Sequence, residues 1–382
     1  MLMLPFFRLM AEKKASDLFF TAHAAPQIKI DGTTLPVNDK PLAPETVRQL
    51  AYSLMNEVEI ARFETELEMN FGRQVEGLGN YRINIFRQRG NVAMVIRYIL
   101  PNIPSLEALN LPEKLRPLVE QKRGLIVVVG ATGSGKSSTV AALLENRNQR
   151  MSGHILTVED PIEFIYAHGK SIVNQREIGV DTLNYQNALK NAMREAPDVL
   201  MIGEIRDAET MTYAINYAQS GHLCLSTLHA NNSYHMLNRI ISFFPPESRT
   251  ALLMDLSVSL RAVISQRLIP TVDGRQVPAI ELMVNTPHIA ELIRNGQIDQ
   301  IKEAIENSMS DGAQTFEQSL FRLYQAGRIT LDEALRNADS PTNLYWLVNH
   351  AQDKKSSDAP ATPLPSPHDG DAPRFDGFTL ND

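Results

Sequence analysis

The chain has a single cysteine, Cys224, in 382 residues. One thiol excludes a disulfide framework and any cysteine-built zinc site, and it fits a reducing compartment. Long apolar runs are missing as well: none approaches the ~20 residues that a membrane-spanning helix needs. The opening Met1-Leu-Met-Leu-Pro-Phe-Phe-Arg-Leu-Met10 is apolar, but Pro5 and Arg8 interrupt it and no small-residue cleavage site follows. Export is therefore not expected; the reading is a cytosolic protein that meets a membrane only through a partner. Basic blocks are scarce too. The formal net charge is −7 with no long Lys/Arg run, which weighs against a nucleic-acid groove, although a local basic face fits inside an acidic total. What is present is ample: 43% hydrophobic and 21% charged residues can bury a large core, in about two or three domains.

The most informative stretch is Gly124-Leu-Ile-Val-Val-Val-Gly130-Ala-Thr-Gly-Ser-Gly135-Lys136-Ser137-Ser138. From Gly130 to Ser137 it fits the phosphate-loop pattern G-x-x-x-x-G-K-[ST]. Leu125–Val129 suits a buried parallel strand, and helix formers follow Ser138. Backbone N–H groups of Gly130, Ala131, Thr132, Gly133, Ser134, Gly135 and the following turn make an anion cradle at a helix N-terminus. Glycine at 130, 133 and 135 lets the main chain close on phosphates. The pattern places the Lys136 ammonium on the β- and γ-phosphates and the Ser137 hydroxyl, beside Ser138, on Mg²⁺. The expected ligands are ATP and Mg²⁺.

Around this loop the chain divides. Residues 1–101 read as a small α+β domain, with strands at Asp17–Thr21, Gln27–Ile30, Tyr81–Phe86 and Val92–Ile99. A turn is expected at Asp31–Gly32 and a helical pattern from Pro44 to about Glu68. Tyr81, Ile83 and Ile85 share one face of their strand, Arg82 and Asn84 the other. Pro101 and Pro104 stiffen a connector over 102–113, and a helix is expected from Pro112 to Arg123. From 114 to 350 strands alternate with helices, at Leu125–Val129, His154–Val158, Val199–Ile202 and Leu223–Leu228, which argues for a parallel sheet. Beyond Asn231 the pattern is mainly helical, with a short hairpin-like interruption at Leu268–Ile280. The tail, 351–382, has five of the chain's 22 prolines and few large apolar residues, so disorder is expected there.

Hydrolysis needs acids as well as a phosphate cradle. Val199-Leu-Met-Ile-Gly-Glu204 is an apolar strand ending in a carboxylate, the place of a Mg²⁺-linked acid, so Glu204 joins Ser137 as a metal ligand. Thr157-Val-Glu159-Asp-Pro-Ile-Glu163 follows another strand, where ligands sit in open parallel sheets. Glu159 or Glu163 could orient the attacking water or reach the metal. His222 and His229 bracket the strand Leu223–Leu228; an imidazole there could hydrogen-bond a γ-phosphate, and two ordinary strand-end histidines fit the spacing equally well. Arg82 and Arg97 lie far upstream; by themselves they read as solvent-facing arginines of an antiparallel sheet, and they act on a nucleotide only if the first domain of one subunit covers the nucleotide of another.

Four motifs in chain order, Gly130–Ser137, Thr157–Glu163, Gly203-Glu-Ile-Arg-Asp207 and Gly221–His229, resemble the secretion ATPases of bacterial type IV pilus and type II secretion systems, the GspE/PilB superfamily, and within it the PilT/PilU retraction family, on its PilU side. The similarity runs from about Ala15 to Val348. It implies an α/β fold in which an N-terminal PAS-like α+β domain precedes a RecA-like P-loop NTPase domain and C-terminal helices. It also implies a homohexamer with ATP between subunits, working against an inner-membrane pilus platform protein. In that family Glu204 corresponds to the Walker B acid and Glu159 and Glu163 to the catalytic-glutamate motif. His222 and His229 fall in the histidine motif, Arg82 and Arg97 among the arginines that reach ATP. Departures are Ala196 in Arg194-Glu-Ala-Pro-Asp198, Phe19 after Ser16-Asp-Leu18, and the Pro-rich tail. The absence of a four-cysteine module favours retraction over extension.

Three functions are carried forward. The leading one is an ATP-hydrolysing retraction motor for twitching motility, accessory to a main PilT-type retraction ATPase and peripheral at the inner membrane. The second is a nucleotide-regulated coupling subunit with little hydrolysis of its own. The third, a RecA-like nucleic-acid translocase, lacks aromatic–basic interleaving, and no nucleic acid is expected as a partner.

Overall fold

The computed structural model describes residues 2–30, 32–99, 102–308 and 312–357, the last seven by backbone alone. Asp31 of the expected turn, Pro101 of the connector and the tail beyond Ser357 lie outside the described residues. Among the described residues two sheets form. The first comprises β1 (Asp17–Phe20), β2 (Gln27–Ile30), β3 (Thr33–Pro36), β4 (Glu68–Val75), β5 (Gly79–Gln88) and β6 (Asn91–Ile99), in the order β3-β2-β1-β6-β5-β4. Every neighbouring pair is antiparallel. Tyr81, Ile83 and Ile85 are buried, as their alternation requires, against helices Leu4–Lys13, Pro44–Tyr52 and Glu57–Glu66.

The apolar opening gains a structure here, and two expectations change. The apolar opening is a helix with Pro5 in its first turn, and it buries Phe7 and Met10 in the first core. The Tyr81 hydroxyl donates to the Phe7 carbonyl at 3.0 Å, which fixes that helix on the sheet. The single helix expected over 44–68 is two, because Asn56 caps a new one: its side chain accepts from the Glu59 N–H while Glu59 accepts from the Asn56 N–H. β4 then begins at Glu68, the expected end of the helical pattern, and its burial alternates. Pro112–Arg123 holds only a short 3₁₀ turn and one helical turn, Arg116–Val119.

The second sheet comprises β7 (Gly124–Val129), β8 (Gly153–Glu159), β9 (Ser171–Glu177), β10 (Val199–Ile202), β11 (Leu223–Leu228), β12 (Leu260–Pro270) and β13 (Gln276–Val284), ordered β13-β12-β7-β11-β10-β8-β9. All pairs are parallel except β12 with β13. β7 is buried on both faces: Leu125, Val127 and Val129 enter one core, Ile126 and Val128 the other. That double burial explains its unbroken β-branched run. Cys224 sits inside the first of these cores, and burial pushes its thiol pKa up, so it is inert. The mainly helical reading after Asn231 missed the length of β12 and β13. Leu260-Arg-Ala-Val-Ile264 is an apolar run that periodicity cannot separate from a helix. C-terminal helices Phe316–Gln325, Leu331–Asn337 and Pro341–Ser357 follow, the first two packing Phe316, Leu320 and Ala334 against Ile269, Val277 and Ala279 of these strands. Among the described residues no helix is long and apolar enough to cross a membrane.

Candidate functional site: a phosphate-loop cleft at the strand ends

The loop Gly130–Gly135 leaves the C-terminal end of β7 and enters helix Lys136–Arg150. Gly133 and Gly135 take φ of +79° and +85°, the left-handed region that a side chain resists. Gly130 is held by space instead: a Cβ there would lie 2.3 Å from Ser134 Oγ. Lys136 is only 8% exposed, and its Nζ donates to the Gly130 and Ala131 carbonyls at 2.9 Å each. Burial lowers its pKa; Glu204 and Glu163 pull the other way.

A cleft of about 610 Å³ opens over this loop, a volume in the range of ligand sites. Thr132, Gly133, Gly135, Lys136, Ser137 and Ser138 line its floor, and Glu159, Glu163, Glu204 and His229 line its walls. They converge because β7, β8, β10 and β11 are parallel and end together. Glu204 is held by Arg206, whose Nε and Nη2 each lie 2.9 Å from Oε2, and His229 Nε2 is 3.4 Å from Oε1. Arg206 also reaches within 3.8 Å of Asp160. Among the described residues no three His, Cys, Asp or Glu side chains are placed to hold a metal ion together. Mg²⁺ does not need such a set: it takes hard oxygen donors from one or two side chains and completes its shell with phosphates and water. The Ser137 hydroxyl and Glu204 carboxylate suit that pattern.

The two acids after β8 differ. Glu159 is 7% exposed, accepts from the Thr157 hydroxyl at 2.7 Å and from Gln175 Nε2 at 3.3 Å. Burial pushes its pKa from 4.5 up to about 7. Glu163 is exposed at the cleft wall. The raised pKa of Glu159 has a stability consequence. Between the two values the folded chain binds a proton that the unfolded chain has released, so stability falls as pH rises through that window. Glu159→Gln keeps both hydrogen bonds and has no charge to bury. It is expected to be more stable than the parent at pH 8, by about 2–3 kcal/mol, and equal to it near pH 4.5. Urea unfolding at the two pH values measures this; an equal or lower midpoint for the variant at pH 8 refutes it.

The structure does not bring His222 to the cleft. It precedes β11, where its carbonyl accepts from Gly124 N–H, and its Nδ1 lies 3.0 Å from Ser220 Oγ. β11 and β7 run parallel, so His222 lies beside the start of β7, a strand length of ~20 Å from the loop at its end. The motif spacing put one histidine at each strand end, and of the two only the C-terminal one, His229, lines the cleft.

Arg97 does reach the cleft, and from the same chain. Its Nε is 2.8 Å from Asp17 Oδ1, and Ser16 Oγ donates to the other Asp17 oxygen at 2.9 Å. Arg82 stands directly across the ladder from Arg97. Burial lowers the Arg82 pKa, and Arg97 lowers it further; Glu177, Asp160 and Glu163 raise it, so acids of β9 and of the turn after β8 lie near this arginine. A second subunit is not required to bring an arginine of the first sheet to the cleft. Sequence reading missed Tyr185 and Thr227, which line the walls, and Arg206. The Gly203-Glu-Ile-Arg-Asp207 motif contained the last as a signal.

The family model described as Type II/IV secretion system protein matches residues 93–356. The type IV pilus ATPase PilU of Pseudomonas aeruginosa is 48% identical over 342 residues, 89% of this chain and 90% of that protein. The type IV pilus retraction ATPase PilT of the same organism is 39% identical over 333 residues, 87% and 97% of the two chains. A crystal structure of the pilus retraction motor PilT with bound ADP superposes with a TM-score of 0.84 at 40% identity, covering 90% of this chain and 98% of that one. The chain therefore belongs to the type II/IV secretion system protein family, as a nucleotide-binding ATPase of its PilT/PilU type.

Proposed function

We propose that this chain is an ATP-driven motor for type IV pilus retraction, assembled as a homohexamer in the cytoplasm and accessory to a main PilT-type motor. It would meet the inner membrane through the pilus platform protein. The observation that carries the reading is the joining of the phosphate loop, Glu163, Glu204, His229 and Arg97 in one cleft. Residues 1–101 and 114–350, joined by 102–113, are taken as the two domains whose relative motion does work. Glu163 is assigned the water-positioning role, because it is exposed at the cleft while Glu159 is committed to Thr157 and Gln175. Lys136 carries charge to the phosphates, and His229 supplies a ring nitrogen beside Glu204. Mg²⁺ held by Ser137 and Glu204 would neutralise charge on the phosphates.

The test combines mass and turnover. The purified full chain is measured with and without ATP, alone and mixed with a PilT-type motor, while phosphate release is followed. A six-fold mass with turnover, and co-assembly in the mixture, is the expected result. A chain that stays monomeric with ATP, hydrolyses nothing and ignores the PilT-type motor would sink the proposal.

A further inference from the structure

Gln266 lies in β12, is 3% exposed, and bridges two parts of the phosphate-loop unit. A buried amide needs partners at both ends, and here both belong to that unit. Its Nε2 donates to the Ser134 carbonyl at 2.7 Å, and its Oε1 accepts from the Thr139 hydroxyl at 2.6 Å. Thr139 is itself 1% exposed, in the first turn of the helix after the loop. The contact is close along its whole length. A Cβ on Gly130 would sit 2.6 Å from the Gln266 carbonyl, and one on Gly135 would sit 2.7 Å from its Nε2.

Register puts the side chain there. β12 pairs with β7 as far as Ser265 opposite Val129, so Gln266 is the next residue on its strand as Gly130 is on the other. The strand is in turn anchored away from the loop. Arg267 hydrogen-bonds the Asn337 carbonyl and pairs with Asp339, and its guanidinium lies 3.9 Å from the Phe316 ring centroid. Successive residues of one strand, whose side chains leave on opposite faces, thus hold the phosphate loop and the C-terminal helices.

We propose that Gln266 is a positioning residue for the nucleotide: it holds the phosphate loop in the shape that grips phosphates, without touching them itself. The proposal rests on the reading of the cleft as an ATP site and adds a residue to it. A cradle of backbone N–H groups binds well only when its shape is fixed beforehand. That grip acts on ground state and transition state alike, so its loss appears as weaker binding at little cost in kcat.

The experiment uses the purified full chain. Gln266→Met keeps the length of the side chain but leaves the Ser134 carbonyl and Thr139 hydroxyl without their partner. Gln266→Glu keeps an acceptor for Thr139 and sets a carboxylate against the Ser134 carbonyl. Gln266→Met is expected to raise KM for ATP and Kd for a fluorescent ADP analogue about tenfold, with kcat within about twofold. Gln266→Glu should do worse in both binding measures. A merely structural role would lower the active fraction, and so kcat, with KM unmoved. Thr139→Val reads the same bond from its other end should Gln266→Met fail to fold. Together the two changes should cost less than their sum, because they share one hydrogen bond. Unchanged nucleotide affinity in Gln266→Met and Thr139→Val, with the parent binding normally, overturns the proposal. A parent chain that binds no nucleotide overturns the ATP-site reading and this proposal with it.

Discussion

Lys136→Ala is expected to remove ATP turnover, by a factor on the order of 10²–10³ or more, from a chain that remains folded. The ammonium is the cation embedded in the loop, held by the Gly130 and Ala131 carbonyls with Glu204 and Glu163 in its field. A buried cation in a site of low dielectric acts on phosphate charge more strongly than it would in water. Alanine removes the charge and keeps the helix, since position 136 opens Lys136–Arg150 and alanine is the best helix former. Phosphate release measures the first half, and a thermal melt within a few degrees of the parent measures the second. Unchanged turnover would strip Lys136 of its role. The same variant decides between motor and coupling subunit. If retraction returns in cells that carry it beside an intact PilT-type motor, the chain's own hydrolysis is not what drives the pilus.

Local chemistry was what the sequence displayed best. The phosphate loop was readable because its glycines, its lysine and the flanking strand and helix all have to be local to one another. The strands β7, β10 and β11 were readable because burial on both faces demands continuous apolar runs. Legibility failed where the determinant was distant or ambiguous. β9 alternates only weakly, with Ile172 left 61% exposed at the sheet edge, so its pattern carried little. β12 has apolar residues on both faces and imitated a helix. Gln266 carries no motif at all; its function comes from a strand register set by residues more than a hundred positions upstream. Asn56 did carry a signal, as N-cap with Glu59 three residues on, and the long helical pattern masked it. Of the two histidines, the strand direction decided which one lines the cleft, and direction in a sheet follows from topology.

The arginines pose the sharpest remaining prediction. Arg97 lines the cleft of its own chain, with Nε fixed by Asp17, which leaves its terminal nitrogens for phosphate oxygens. Arg97→Ala is expected to lower turnover by a factor on the order of 10² or more. Arg97→Lys should recover little, because one ammonium cannot serve both Asp17 and a phosphate, as the planar fork can. Mixing tells whether the arginine acts within its chain. Lys136→Ala chains keep a sound arginine, and Arg97→Ala chains keep a sound loop. If the arginine crossed to a neighbour, mixed rings at equal proportions would regain roughly a quarter of their sites by random placement. Acting within the chain, no ring of any composition contains a complete site. No recovery is the expected result, with co-assembly checked by mass in the same samples. Recovery near a quarter would instead assign Arg97 to the next subunit's nucleotide, and the cleft would then be completed only by the ring.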